Sequence, residues 1–216
     1  MSLRLEMLQV ARVAPKALED ASDLVRDFLL SQQHPDGGFC DRDGESDLYY
    51  TVFGLNALAA FQVEPDMNAV EKFLLKFEEG EGLDLVHLSC LCRCWGTLGQ
   101  KRMPKGLRKV LLNRLEAFRK PCGGWDNNPE REHGTAYGSF LALGAYQDLG
   151  KLPPKPFRIL QSLKYLETPD HAWNNHPNLP VGSTNPTAGA VVLLNNLHLP
   201  INAEVGKWLK KQLHPQ

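Results

Sequence analysis

The sequence has no excess charge of either sign. It contains 24 lysines and arginines against 25 aspartates and glutamates, which leaves a formal net charge of -1 at pH 7. A protein that binds nucleic acid through a broad basic face is therefore not expected. The chain also lacks an apolar run long enough to cross a bilayer, so no membrane span is predicted.

No secretory leader is predicted, and the common catalytic motifs are missing as well. Residues 1–13 carry Arg4, Glu6 and Arg12 among apolar side chains, which does not fit a secretory signal. The sequence contains no Walker loop, dinucleotide-binding fingerprint, nucleophile elbow or His-Glu-x-x-His run. Neither a cofactor nor a resident metal ion is predicted.

Cysteine is present in a pattern that excludes a disulfide framework. The five cysteines are an odd number, and Cys90, Cys92 and Cys94 crowd into one segment. Their helical spacing suits neither paired disulfides nor a zinc ribbon. Reduced thiols in a cytoplasmic protein are the prediction.

Helical periodicity runs through almost the whole chain, and no segment alternates convincingly as a strand does. Pro15 and Pro186 suit first-turn positions, and Asp47 and Asn185 suit N-caps. The predicted helices span residues 3–13, 16–33, 48–62, 67–78, 84–99, 105–119, 132–148, 156–167, 186–197 and 202–213.

A turn built from glycine and an aromatic residue recurs between these helices. It appears as Gly37-Gly38-Phe39, again as Gly123-Gly124-Trp125, and more faintly as His171-Ala172-Trp173. A motif that returns at the same place in a helix–loop–helix unit of roughly forty residues predicts an α-helical repeat protein.

The second helix of each unit can be aligned on a threonine, at Thr51, Thr135 and Thr187. Small residues then recur at one offset, as Gly54, Gly138 and Ala190. The unit over residues 87–99 has lost the turn but keeps a helix of the right length. These second helices are apolar on nearly every side, so they are expected to form an inner layer around a core or cavity, with amphipathic first helices outside.

The repeated residues resemble those of a known family. An aliphatic residue, a glutamine, a glycine and an aromatic residue are spaced as in the QW repeat of squalene–hopene and oxidosqualene cyclases, and the start of the following helix is similar to protein prenyltransferase β-subunit repeats. The first copy is Leu29, Gln33, Gly37 and Phe39; the second is Leu115, Arg119, Gly123 and Trp125; the third is Leu163, Glu167, His171 and Trp173.

This resemblance implies an all-α fold, an α/α toroid or an incomplete arc of one, with about five helical hairpins around an apolar cavity that holds an isoprenoid. Residues 1–216 are predicted to form a single helical-repeat domain, with residues 1–22 as an N-terminal extension and residues 23–213 as the repeats. An incomplete arc exposes apolar inner surface, so either a small closed ring or self-association is expected.

The catalytic signatures of both families are absent. The cyclase Asp-x-Asp-Asp run has only Asp41-Arg42-Asp43-Gly44 as a counterpart, and Tyr49 stands where prenyltransferases carry a zinc-binding thiolate after the residue comparable to Asp47. The predicted function is therefore a binding module for an isoprenoid, lipid or peptide. The alternative is an active prenyltransferase or terpenoid cyclase with Asp47 or Asp43 as its acid.

Candidate ligand-binding residues fall into two groups. The aromatic side chains Tyr50, Phe53, Tyr137 and Phe140 lie on inner helices and are expected to line the cavity. Polar residues are expected near inner-helix N-termini at one rim, where the helix dipoles could attract an anion such as a diphosphate; they are Asp47, Glu132 or His133, and Ser183 or Asn185. The simpler interpretation is that such residues cap their own helices, and it is preferred.

Two further clusters invite a metal interpretation. The acidic residues of loop 41–47 alternate like calcium ligands, but Val52 occupies the place of the closing glutamate, so a solvated turn is preferred. His87, Cys90 and Cys94 share a helical face one turn after Asp84, as a zinc site would require. Because free cysteines are usually buried, packing is the preferred interpretation there too.

Overall fold

The computed structural model describes residues 2–213, and within that range the chain is mostly helical. The predicted all-α class is confirmed. The helices are α1 Leu3–Ala11, α2 Ala14–Leu18, α3 Ala21–Ser31, α4 Leu48–Ala60, α5 Met67–Leu75, α6 Leu85–Leu98, α7 Leu107–Ala117, α8 Ala136–Asp148, α9 Phe157–Leu166, α10 Thr184–Asn196 and α11 Ala203–Lys211. Two short strands, β1 Phe39–Cys40 and β2 Ser46–Asp47, pair antiparallel.

One predicted helix and one predicted cap are wrong. Residues 16–33 are two helices, because Glu19 adopts a φ of 46° and interrupts the helical path between α2 and α3. No glycine or proline marks that break in the sequence. Asn185 does not cap α10; Ser183 holds the extended N-cap position, and Asn185 is the second residue of the helix.

The chain divides into two compact units. Unit 1 comprises Met1–Arg114 and Gly144–Lys151, and unit 2 comprises Leu115–Leu143 and Leu152–Gln216. Unit 1 contains the first copy of the repeated turn, and unit 2 contains the second and third copies. The toroidal arrangement and the single domain stay predictions.

Three turns share one backbone hydrogen-bond pattern. The N–H of His34 donates to Gly38 O at 2.8 Å, that of Lys120 to Gly124 O at 2.8 Å, and that of Thr168 to Ala172 O at 2.9 Å. The residue that requires a left-handed backbone is Gly37 in the first turn (φ 101°), Gly123 in the second (φ 102°) and His171 in the third (φ 66°). The faint third copy is therefore a true copy of the turn.

The aromatic residue of each turn is fixed to the inner helix that follows it. Its backbone N–H donates to a hydroxyl group, from Phe39 to Thr51 Oγ1 at 2.9 Å. The equivalent bonds run from Trp125 to Ser139 Oγ at 3.3 Å and from Trp173 to Thr187 Oγ1 at 3.0 Å. The indole N–H of each tryptophan also donates to a carbonyl of the preceding helix, at Leu115 and Leu163.

These bonds correct the threonine alignment of the second repeat. Ser139, rather than Thr135, is the equivalent of Thr51 and Thr187. Thr135 lies one helical turn earlier, where its hydroxyl accepts the N–H of Gly138 at 3.0 Å and caps α8. The small residue at the shared offset is consequently Ala142, which is fully buried, and not Gly138.

The intervening repeat, made of α5 and α6, keeps the hairpin without the aromatic anchor. Gly80 has a φ of 74° and donates its N–H to Phe77 O at 2.7 Å, as Gly37 does to His34 O at 2.9 Å. Helix α6 has 14 residues, which confirms the prediction that this unit keeps a helix of the right length. In unit 1, α4 and α6 pack against each other, with α3 and α1 also on α4.

Candidate functional site

The N-termini of α4 and α6 are capped by carboxylates. Asp47 Oδ1 accepts the N–H groups of Tyr49 at 2.8 Å and Tyr50 at 3.1 Å, which confirms its predicted N-cap role. Asp84 Oδ1 accepts the N–H of His87 at 2.8 Å in the same way. Each helix end therefore already has an anionic partner of its own.

His87 lies between these two caps. Its Nδ1 is 2.8 Å from Asp84 Oδ1, and its Nε2 is 3.7 Å from Asp47 Oδ2. All three side chains are partly exposed, with 41% of His87 accessible. We name Asp47, Asp84 and His87 the imidazole–carboxylate cluster.

The electrostatics of this cluster are acidic. Burial alone would raise the pKa of Asp84, but the backbone and ring N–H groups of His87 outweigh it, and the pKa of Asp84 is lowered below its usual value. Two carboxylates face one imidazole, so the net charge of the cluster is negative whether or not His87 is protonated. The cluster therefore does not attract anions. An anion-binding rim is thus not formed by the α4 and α6 ends.

Exposed aromatic rings begin directly beside the cluster. The Tyr49 ring lies 5.9 Å from that of Tyr50 and 4.8 Å from that of Phe53, both in edge-on geometry. These three side chains are exposed, Phe53 by 53%. We name Tyr49, Tyr50 and Phe53 the aromatic surface; it includes two of the four predicted cavity residues, with Tyr49 added.

The cysteines of α6 are packed in the core. Cys90, Cys92 and Cys94 are all buried, and burial raises the pKa of the Cys90 thiol to about 12. Protonated thiols are poor metal ligands. Among residues 2–213 no group of three or more His, Cys, Asp or Glu side chains has the arrangement of a metal site.

The acidic loop is a turn held by one of its own carboxylates. Asp41 Oδ1 accepts the N–H of Asp43 at 2.8 Å and that of Glu45 at 3.0 Å. Asp43, the second candidate acid, is exposed at the tip of this turn. It has none of the connections to a neighbouring helix that Asp47 has through His87.

The remaining predicted residues belong to unit 2. Tyr137 is exposed and Phe140 is half-buried, both on α8. The ring of His133 lies 6.0 Å from that of Tyr165 and 6.2 Å from that of His176. Asp47 belongs to unit 1, so its meeting with His133 and Asn185 at one rim stays a prediction.

Sequence reasoning missed the pairing of Asp47 with His87. The available signal was that Asp47 and Asp84 both precede an inner helix, which places two acids at equivalent ends of successive repeats. The neighbouring position of α4 and α6, which brings His87 within reach of both, is visible only in the fold.

Comparison with models of known protein families gives no match, and comparison with curated proteins gives no significant one. No helix of the described residues combines the length and the apolar character needed to cross a membrane.

Proposed function

We propose that this chain is a binding module, similar to the helical toroids of prenyltransferases and terpenoid cyclases, that holds an isoprenoid or related lipid against the aromatic surface of α4. The observation that carries the proposal is the set of three exposed rings, Tyr49, Tyr50 and Phe53, beside a polar cluster. Contiguous exposed apolar side chains with a polar border are typical of ligand or partner surfaces.

The imidazole–carboxylate cluster defines the polar end of the ligand. Its carboxylates accept hydrogen bonds, and the helix N-termini behind them are already capped by Asp47 and Asp84. A hydroxyl or amine suits this environment, whereas a diphosphate would face two carboxylates. The proposed ligand is therefore an isoprenoid alcohol or amine rather than a prenyl diphosphate.

The toroidal arrangement of the repeats and self-association are part of the same proposal. Support comes from the recurrence of the turn, the aromatic anchor and the buried small residue in the three repeats that contain Phe39, Trp125 and Trp173. Exposed Tyr137 on α8 occupies the same helical position as Tyr49 on α4, two residues after the N-cap, so equivalent inner-helix positions carry exposed aromatic rings in both units.

Native mass spectrometry with farnesol and farnesyl diphosphate tests the proposal. Farnesol is expected to bind, and more tightly than the diphosphate. Tyr50→Ala and Phe53→Ala should each weaken farnesol binding roughly fivefold or more, because each removes an aromatic contact that the ligand would bury. Phe157→Ala, which removes an equally exposed ring from α9, is the matched control and should change nothing. Farnesol binding that is absent, or equal in all variants, rejects the proposal.

An active enzyme is the second candidate, favoured by one observation. The 3.7 Å approach of His87 to Asp47 is an imidazole–carboxylate pair of the kind used in proton transfer. Release of pyrophosphate, or a cyclised product, on incubation with prenyl substrates would establish it if Asp47→Asn abolished the reaction.

A further inference from the structure

A cleft lies in unit 1, between the N-terminal helix α1 and the C-terminal half of α4. It has a volume of about 240 Å³. Its walls are mostly apolar and include Met7 and Leu8 from α1 and Phe53 and Ala57 from α4, with Asn56 as a polar neighbour. Two arginines, Arg4 and Arg93, also line it. The cleft therefore combines an apolar channel with two cationic side chains.

The two guanidinium groups share a single carboxylate. Arg4 Nε donates to Asp148 Oδ1 at 3.0 Å, while Arg93 Nε lies 3.5 Å from Asp148 Oδ2. The Arg93 contact lacks hydrogen-bond geometry, and Arg93 Nε is a buried nitrogen without a hydrogen-bond partner among residues 2–213. Only 15% of Arg4, 16% of Arg93 and 1% of Asp148 are exposed. One positive charge is thus left unbalanced in this group.

Such an excess cation is costly in a partly dry environment. A buried charge is tolerated when it is paired and hydrogen-bonded, and guanidinium groups match carboxylates with two parallel bonds. The adjoining walls would gain from contact with a hydrocarbon chain. At ~30 Å³ for each water-sized group, the cleft has room for about eight such groups.

We propose that this cleft binds a medium-chain carboxylate, with its headgroup on Arg93 and Arg4 and its alkyl chain between Met7, Leu8 and Ala57. The site is distinct from the surface proposed for the isoprenoid. Its polar end is basic and lies toward the C-terminal end of α4, whereas the imidazole–carboxylate cluster is acidic and lies at the N-terminal end. Phe53 is the one residue that the two share.

Isothermal titration calorimetry of the full chain with octanoate, octanol and octylammonium tests the assignment. Octanoate should bind roughly tenfold or more tightly than octanol, as expected for a charged hydrogen bond, and octylammonium should bind least. Arg93→Gln should reduce octanoate affinity to that of octanol. Equal affinity for octanoate and octanol, or no binding of octanoate, would overturn the proposal.

A second variant guards against loss of folding in Arg93→Gln. Ala57→Leu leaves both arginines in place and fills the channel, so it should weaken octanoate and octanol alike, with an unchanged circular-dichroism spectrum. Unaltered octanoate affinity in this folded variant would place the ligand elsewhere and contradict the proposal. Farnesol binding should survive Arg93→Gln and decline in Tyr50→Ala, so the two proposals fail separately.

Discussion

Trp208 donates its indole N–H to Asp170 Oδ2 at 2.7 Å. The same turn position in the first repeat is Asp36, whose Oδ2 accepts Lys76 Nζ at 2.7 Å. Trp208 lies on α11, and Lys76 is the C-cap residue of α5. The turn carboxylate therefore connects one repeat to the next, inside unit 1 for Asp36 and inside unit 2 for Asp170.

Asp170→Asn is expected to lower the free energy of unfolding by about 2 kcal/mol at pH 7, since hydrogen bonds to a charged acceptor are lost. Besides Trp208, Asp170 accepts the Thr168 hydroxyl and the Gly182 N–H. Burial opposes these bonds, but they prevail, and the pKa of Asp170 lies below its usual 3.8. Urea unfolding monitored by tryptophan fluorescence measures the change.

The pH dependence of this difference follows from the sign of the shift. A carboxyl group with a lowered folded-state pKa stabilises the fold above its unfolded pKa, and that stability is lost as pH falls through the folded value. The difference in the free energy of unfolding between wild type and Asp170→Asn should therefore shrink as the pH falls below about 4. Asp20→Asn, at an exposed position without a capping bond, is the control and should match wild type at both pH values.

His171→Gly is expected to stabilise the protein by about 1 kcal/mol, because a left-handed backbone is strained for any residue with a Cβ. His171 has a φ of 66° at the place where the other turns use Gly37 and Gly123. Thermal unfolding of the variant should show a higher Tm. A lower Tm would mean that the imidazole makes a compensating contribution in the third turn.

Gly37→Ala should be strongly destabilising, by more than about 2 kcal/mol, because it combines two penalties. Gly37 has a φ of 101°, and a Cβ there would lie 1.9 Å from the carbonyl oxygen of Ala69 on α5. Gly44→Ala separates the effects, since Gly44 has a φ of 86° and open space around it. Comparable losses in the two variants would show that close packing of the turn on α5 is unimportant.

Several of these features were accessible from the sequence, and others were not, for physical reasons. The turns were predictable because glycine and a following aromatic residue have few other roles at that spacing. The equivalence of Ser139 with Thr51 was hidden, since serine and threonine offer the same hydroxyl and Thr135 stands one turn away. The Asp47–His87 pair depends on helix adjacency, which the order of residues along the chain does not specify.

Arg119 makes the hydrogen bond in the second turn that Gln33 makes in the first. Its Nε donates to Gly123 O at 3.1 Å, as Gln33 Nε2 donates to Gly37 O at 3.4 Å. It also lies 4.5 Å from the centre of the Trp125 ring and donates to Pro154 O at 2.6 Å. Arg119→Gln should therefore lower the free energy of unfolding by about 1 kcal/mol, because only the bond to Gly123 O is kept.

Arg119→Glu should cost more than Arg119→Gln, because a carboxylate cannot donate to a carbonyl. Differential scanning calorimetry of the three proteins is expected to rank Tm as wild type, then Gln, then Glu. Equal Tm for Gln and wild type would limit the role of Arg119 to the bond that Gln33 makes in the first turn.

Substitutions of Asp47 can separate its role as a helix cap from a role in ligand binding. Asp47→Ala should lower the free energy of unfolding by about 1 kcal/mol through loss of the bonds to Tyr49 and Tyr50, while Asp47→Asn should retain most of it, since asparagine caps helices well. Chemical denaturation measures both. Loss of farnesol affinity in a stable Asp47→Asn protein would show that the carboxylate charge of Asp47 contributes to ligand binding. Unchanged affinity would show that Asp47 acts only as a helix cap.

Of the five thiols, two should react readily with a thiol reagent and three should be protected. Cys40 and Cys122 are half-buried, whereas Cys90, Cys92 and Cys94 are buried in α6. Because the thiolate is the reactive form, burial and the raised pKa of Cys90 both protect the second set.

Titration with Ellman's reagent at pH 8 is expected to modify two thiols in the native protein and all five in urea. Cys122→Ser should remove one native thiol and one total thiol. Rapid native modification of more than two would show that α6 is exposed to solvent and would contradict the packing assigned to its cysteines.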